Sequence, residues 1–253
     1  MPANASLREI VEYCDSYLNT RSVSDYPGAH NGLQVENTGQ VTRIGTAVDA
    51  CEPVLAEAAA RGVSLLLVHH GLFWSPKVLT GAMYRKVKTA LEHDMAVYSS
   101  HLPLDLHPEV GNNVLLAKAL GLKKWEPAFP SKGQPIGLKV NASVSLEDLA
   151  RRLEKVLGSA PHICPGGPFK TKRIGIVTGG AGSEIAQAVA EGVDTFITGE
   201  GPHWSYTEAE EQGINVFYGG HYATETFGVK ALAEHLSKRF RVPWEFIDHP
   251  TGL

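Results

Sequence analysis

The sequence predicts an α/β protein made of two similar halves. Short apolar runs bounded by glycine, such as Leu65–Val68, alternate with stretches of helical periodicity. That is the pattern of parallel strands joined by right-handed crossovers. A block of the first half returns in the second half in one ungapped register. Two of the apolar runs also end in chemically capable side chains: His69-His70 after Leu65–Val68, and His101-Leu102-Pro103-Leu104-Asp105 after Met95–Ser99. In open α/β sheets, sites form beyond the carboxyl ends of strands.

Taken in order, Ser6-Leu7-Arg8-Glu9 reads as a capping box, and Leu7, Ile10, Val11, Cys14 and Leu18 recur at helical spacing. This helix is expected to pack on a sheet. Asp25–Gly28 is a turn signal, and Asn31-Gly32 reads as a hairpin turn. Residues 41–48 read as a strand and Pro53–Arg61 as a helix closed by Gly62. Leu65–His70 completes a β-α-β unit, which implies a parallel pair. A helix around Lys86–His93, a strand over Met95–Ser99 and a helix over Asn112–Leu120 follow. Residues 123–135, with three prolines and one glycine, read as a linker. Ile136–Val140 is a short strand and Ser145–Leu157 an amphipathic helix capped by Ser145 and Asp148. Pro161–Lys170, with three prolines and two glycines, reads as a loop. Halves of residues 1–125 and 126–253 are expected.

The repeat is specific. Ile44-Gly45 and Gly62-Val63 recur as Ile174-Gly175 and Gly192-Val193, an offset of 130 (174 − 44 and 192 − 62). Gly71/Gly201, Trp74/Trp204 and Ser75/Ser205 keep that offset, as do three alanine pairs in the intervening helix. Trp74 and Trp204 read as duplicated packing anchors. The next strand repeats at an offset of 120, Val97–His101 against Phe217–His221. Two copies are too few for a solenoid. Equivalent strand ends would carry comparable loops, and halves facing one another would line a shared cleft with them. The first half offers His69, His70, His101 and Asp105, and the second Glu200, His203, His221 and Glu225.

Composition narrows the function. The chain has 253 residues, 43% of them apolar and 20% charged, with a net charge of −4. No cluster of Lys or Arg is present, which argues against a dedicated nucleic-acid binder. Cys14, Cys51 and Cys164 form no CxxC pair, so neither a disulfide framework nor a zinc–thiolate site is indicated. Residues 1–10 lack a signal-peptide pattern, and no apolar run approaches the ~18 residues of a membrane span. A soluble protein of the cytoplasm is expected.

Eleven histidines are many for this length, so a metal site is worth seeking. A bare His-His pair also reads as one structural and one solvated histidine, and His221-x-x-x-Glu225 also reads as a surface pair. On a helix beginning near His221, however, those two side chains share a face. With the two strand ends, the set becomes His69, His70, Asp105, His221 and Glu225. Nitrogen and oxygen donors suit zinc, iron or manganese. Five groups exceed what one catalytic zinc takes, whereas a Glu225 bridging two metals would use them all. His101, Glu200 and His203 are candidates for acid–base, orienting or substrate contacts. His107, His162, His235 and His249 read as surface or structural.

The segments NGLQVE, VHHGLFW, SSHLPLD, TGE and GGHYATETFGVKAL, in that order, resemble the GTP cyclohydrolase I type 2 family, also called Nif-three-like dinuclear-metal proteins. The resemblance spans nearly the whole chain. It implies two α/β halves about a cleft with two divalent metal ions, in a toroidal homohexamer. It places the metal ligands on His69, His70, Asp105, His221 and Glu225, the glutamate bridging. The short segment between the halves resembles the compact form of the family. The expectation is a hydrolase using a metal-bound hydroxide on a nucleotide-like or related small molecule, although no Walker-type phosphate loop is present. The alternative is a non-catalytic metal-binding regulator or scaffold. Neither membrane nor nucleic acid is expected as a partner.

Overall fold

The computed structural model describes residues 4–75 and 77–253. In chain order the elements are β1 (Ala5–Ser6), α1 (Leu7–Tyr17), β2 (Gly32–Val35), β3 (Gln40–Val41), β4 (Ile44–Asp49), α2 (Glu52–Ala60), β5 (Leu65–His70), α3 (Gly81–Glu92), β6 (Ala96–Ser99), α4 (Leu102–Asp105), α5 (Asn112–Ala119), β7 (Glu126–Ser131), β8 (Gln134–Ser145), α6 (Leu146–Leu157), β9 (His162–Pro165), β10 (Lys170–Ile176), α7 (Ile185–Ala190), β11 (Thr195–Thr198), α8 (Trp204–Gln212), β12 (Asn215–Tyr218), α9 (His221–Phe240) and β13 (Trp244–Phe246). Among the described residues, no helix is long and apolar enough to cross a membrane.

Residues through Leu104 form one compact unit with Gly228–His249. Its five-stranded sheet has the order β13-β4-β5-β6-β2. The first four strands are parallel, and β2 is antiparallel on β6. Leu65–Val68 are all buried, the two-sided burial of an interior parallel strand. Leu66 and Val68 join Val54, Leu55 and Ala58 of α2 in one core with Met95 and Val97. Helix α1 starts as its sequence dictates: Ser6 Oγ accepts the Glu9 amide at 3.4 Å, and Leu7, Ile10 and Cys14 turn inward. Strand alternation then places His69 fully buried and His70 half-buried at the end of β5.

Asp105–Phe227 and Pro250–Leu253 form the second unit. Its six-stranded sheet runs β7-β8-β10-β11-β12-β9, with β10, β11 and β12 parallel and the remaining pairs antiparallel. Ser145 caps α6 by accepting the Asp148 amide at 3.1 Å. Leu149 and Leu153 bury against Leu138, Val140, Ile174, Ile176 and Ile197.

The duplication is present in the ladders. Ile44 pairs with Leu65 and Ile174 with Thr195, so both strands keep the offset of 130. The third strand departs from its sequence match by one residue. Val68 pairs with Ser99 and Thr198 with Tyr218, an offset of 119 (218 − 99) rather than 120. His221, the first residue of α9, therefore corresponds to Leu102, the first residue of α4, and His101 sits one place earlier.

Other differences have local causes. The compact units are not residues 1–125 and 126–253, because β13 pairs with β4 and ties residues 228–249 to the first sheet. The expected linker at 123–135 is a hairpin of β7 and β8. Pro127 and Pro130 are tolerated because β7 is an edge strand, and the turn residues Lys132 (φ 51°) and Gly133 (φ 81°) are both left-handed, as a two-residue hairpin requires. The expected loop at 161–170 contains β9, the opposite edge of that sheet. Asn31-Gly32 is not a hairpin turn: β2 begins at Gly32 and pairs with β6, far along the chain.

Candidate metal centre

In the first unit, three imidazoles converge where β5 and β6 end. One ring nitrogen each of His69, His70 and His101 lies within 4.8 Å of the other two. Each Nδ1 has a dedicated acceptor. His69 donates to the Ser100 carbonyl at 2.9 Å, His70 to Asp49 at 2.8 Å and His101 to Asp25 at 2.8 Å. A proton held on Nδ1 puts the ring's lone pair on Nε2, which is how a metal-ligating histidine is prepared.

Asp25 is itself well fixed. It accepts from Asn31 Nδ2 at 2.7 Å and from the amides of Tyr26 and Leu102, while Asn31 Oδ1 accepts the His101 amide. Burial pushes the Asp25 carboxyl upward. The His101 hydrogen bond and charge, with Asn31 and the Tyr26 amide, outweigh it and bring the pKa down to about 2. Trp74 meets His101 edge-on, with ring centres 4.9 Å apart.

The second unit supplies carboxylates. Asp105 and Glu225 are 6% and 2% exposed, and an oxygen of each lies within 4.8 Å of the other. Two buried carboxylates at that separation require a proton or a cation between them. Asp105 is held by Asn112 Nδ2 at 2.7 Å, and its carbonyl accepts from Asn113. His221 lies between two acids, with Nδ1 2.8 Å from Glu200 and Nε2 3.2 Å from Glu225, one helical turn on. Burial lowers its pKa, but Glu225 and then Glu200 outweigh this and raise it to about 9. Gly179 makes room for Glu225. Its φ is +74°, and a Cβ there would lie 2.2 Å from Glu225 Oε1.

Of the expected residues, His69, His70 and His101 thus form one cluster, and Asp105, His221 and Glu225, with Glu200 behind His221, form another. The donors are imidazole and carboxylate with no thiolate among them, a set that fits zinc, iron or manganese. His203 stands apart from these contacts, exposed at the start of α8. Trp204 is 50% exposed, so the second tryptophan is no packing anchor. Asp25, Asn31, Asp49, Ser100, Asn112 and Gly179 carry the second layer of contacts, and none of them stands in a ligand-like spacing. Asn31 had a local signal, the Asn-Gly pair, which pointed to a turn instead.

The family described as Duf34/NIF3 (NGG1p interacting factor 3) matches residues 5–251. The chain belongs to the Duf34/NIF3 family. A Deinococcus radiodurans protein named GTP cyclohydrolase 1 type 2 homolog is 41% identical over 97% of this chain and 94% of that protein. A Pyrococcus abyssi protein of the same name is 42% identical over 97% and 98%. A Thermus thermophilus protein of known crystal structure, 40% identical, superposes with a TM-score of 0.88 over 98% of this chain and all of the other.

Proposed function

We propose that this Duf34/NIF3 chain is a metal-dependent hydrolase whose two ligand clusters serve one dinuclear centre. His69, His70, Asp105, His221 and Glu225 would hold two divalent ions, zinc, iron or manganese, with Glu225 shared between them. The observation that carries this reading is the buried Asp105–Glu225 pair, an anionic site that calls for more positive charge than one imidazole brings. Ions bound there would activate water and polarise the bond to be cut.

The remaining roles belong to the chain itself. Asp49, Ser100 and Glu200 fix the tautomers of His70, His69 and His221. His101, aligned by Asp25, is the proton carrier beside the site, while Glu200 and His203 contact the substrate side. The name shared by the relatives supports a nucleotide-like or related small substrate. The resemblance carried by the five sequence segments supports a toroidal homohexamer, and the acidic balance supports the absence of a nucleic-acid partner.

The test is elemental analysis of protein purified without added metal, followed by a screen of nucleotides and phosphoesters for hydrolysis. Two equivalents per chain, falling sharply in Glu225→Ala, together with turnover of a screened compound, is the expected result. At most one equivalent, unchanged in the variant, overturns the ligand set. Two equivalents with no turnover favours a metal-binding regulator or scaffold.

A further inference from the structure

The second unit contains a cavity of about 640 Å³ whose wall includes His162, Glu200, His203, Ser205, Tyr206 and Tyr218. That volume suits a small organic ligand. Three rings group on one side. His162 and Tyr218 are cross-strand partners on β9 and β12 with ring centres 6.0 Å apart, and His162 and Tyr206 are 5.7 Å apart.

The polar groups have a definite sense. Ser205 gives its hydroxyl proton to the Pro202 carbonyl at 2.7 Å. Its oxygen must therefore accept from the Tyr218 hydroxyl, 2.8 Å away. Tyr218 thus spends its proton inside the wall, and its oxygen is left as an acceptor. Glu200 adds a carboxylate, already oriented by the His221 Nδ1–H. Among the described lining residues there is no Lys or Arg. The wall offers ring faces and hydrogen-bond acceptors without a fixed cation. These acceptors suit planar rings that carry N–H donors.

We propose that this cavity is a binding subsite for a neutral heteroaromatic ring bearing amino or imino N–H groups, with Glu200 accepting from that ring while it holds His221. The proposal deepens the hydrolase reading, on which its catalytic meaning rests, by assigning the substrate's ring to this cavity. A phosphate-like group on the same substrate would lie outside it.

The test is a fluorescence titration with 2-aminopurine riboside, whose emission is quenched on stacking. Wild-type protein is expected to give saturable quenching. Purine riboside, which lacks the amino group, should compete about tenfold more weakly than the amino-bearing probe. Inorganic phosphate should not compete. Tyr206→Ala should weaken binding roughly five- to 150-fold, the range for loss of one stacked base. His162→Ala, at an exposed position on an edge strand, is the second variant and should weaken it in the same direction. Protein treated with a chelator should retain the quenching, so ring binding is read separately from metal loading. Absence of saturable quenching in the wild type, or quenching in both ring variants unchanged from the wild type, overturns the proposal. Quenching as expected with no hydrolysis of any screened compound supports the subsite and overturns the hydrolase reading alone.

Discussion

The two copies of the repeat place different chemistry on the same scaffold positions. At the end of β5 stand His69 and His70; at the offset of 130 stand Gly199 and Glu200. At the end of β4 stands Asp49, which orients His70; its counterpart is Gly179, where a side chain would displace Glu225. One unit therefore presents three imidazoles, each with its Nδ1 engaged. The other presents two buried carboxylates and one histidine held by a third acid. Duplication kept the β-α-β frame, and the chemistry divided into a nitrogen-rich and an oxygen-rich half. A backbone that tolerates such exchange at its strand ends shows why fold alone does not fix function.

Gly179→Ala attacks the contrast where it is sharpest and should have the largest effect. A non-glycine residue at positive φ costs about 1–3 kcal/mol, before the clash with Glu225 is counted. Chemical denaturation should show at least that loss, and metal content should fall with it. Unchanged stability and metal content would mean that Glu225 does not need the space that Gly179 leaves.

Asp49→Ala and Glu200→Ala compare the two orienting groups directly. Loss of a partner to a ligating histidine lowers metal affinity about 10- to 100-fold. Competition with a chromophoric chelator should find both variants in that range with native circular dichroism. An effect confined to Glu200→Ala would show that the first unit's imidazoles do not bind metal.

Gly133→Ala probes the second unit away from the site. Nothing lies within 4 Å of its added Cβ, so the cost is the left-handed backbone alone, roughly 1–2 kcal/mol. Denaturation should show this change, with metal stoichiometry intact.

The smallest effect belongs to the tie between β13 and the first sheet. The Arg61 hydrogen bond lowers the Glu245 pKa; partial burial opposes this, and Arg43 adds to the lowering. A depressed carboxylate pKa adds stability above the ordinary carboxylate range, and that stability is lost as pH falls through the folded value. Both arginine pairs are partly solvated, so the contribution is at most about 1 kcal/mol. Glu245→Gln should therefore lower the melting temperature slightly at neutral pH and converge with wild type once the pH has fallen through the folded value.

Much of the frame was legible because it is local or periodic. Ser6 and Ser145 cap where their spacing says, and the ungapped offset of 130 survives in the ladders of both units. The parts that escaped depend on pairing across distance. Pro127 and Pro130 disguised β7, which is a strand because it is an edge. A strand as short as β13 leaves no periodic trace, so the boundary of the units was hidden as well.

At the site, ligand-type residues stood out by identity and by their place after apolar runs. Asp25 and Asp49 did not. Their histidine partners lie 76 and 21 residues away, and no spacing rule links them. The one-residue slip between His101 and His221 also needed the ladder, because matching His to His in sequence conceals it.

In the proposed function the two chemically unlike clusters serve one pair of ions. Electron paramagnetic resonance of the protein loaded with two equivalents of manganese(II) reads that sharing. Two ions bridged by one carboxylate are exchange-coupled, so a multiline coupled spectrum that disappears in Glu225→Ala is expected. A plain six-line spectrum of isolated manganese, the same in wild type and variant, would contradict it.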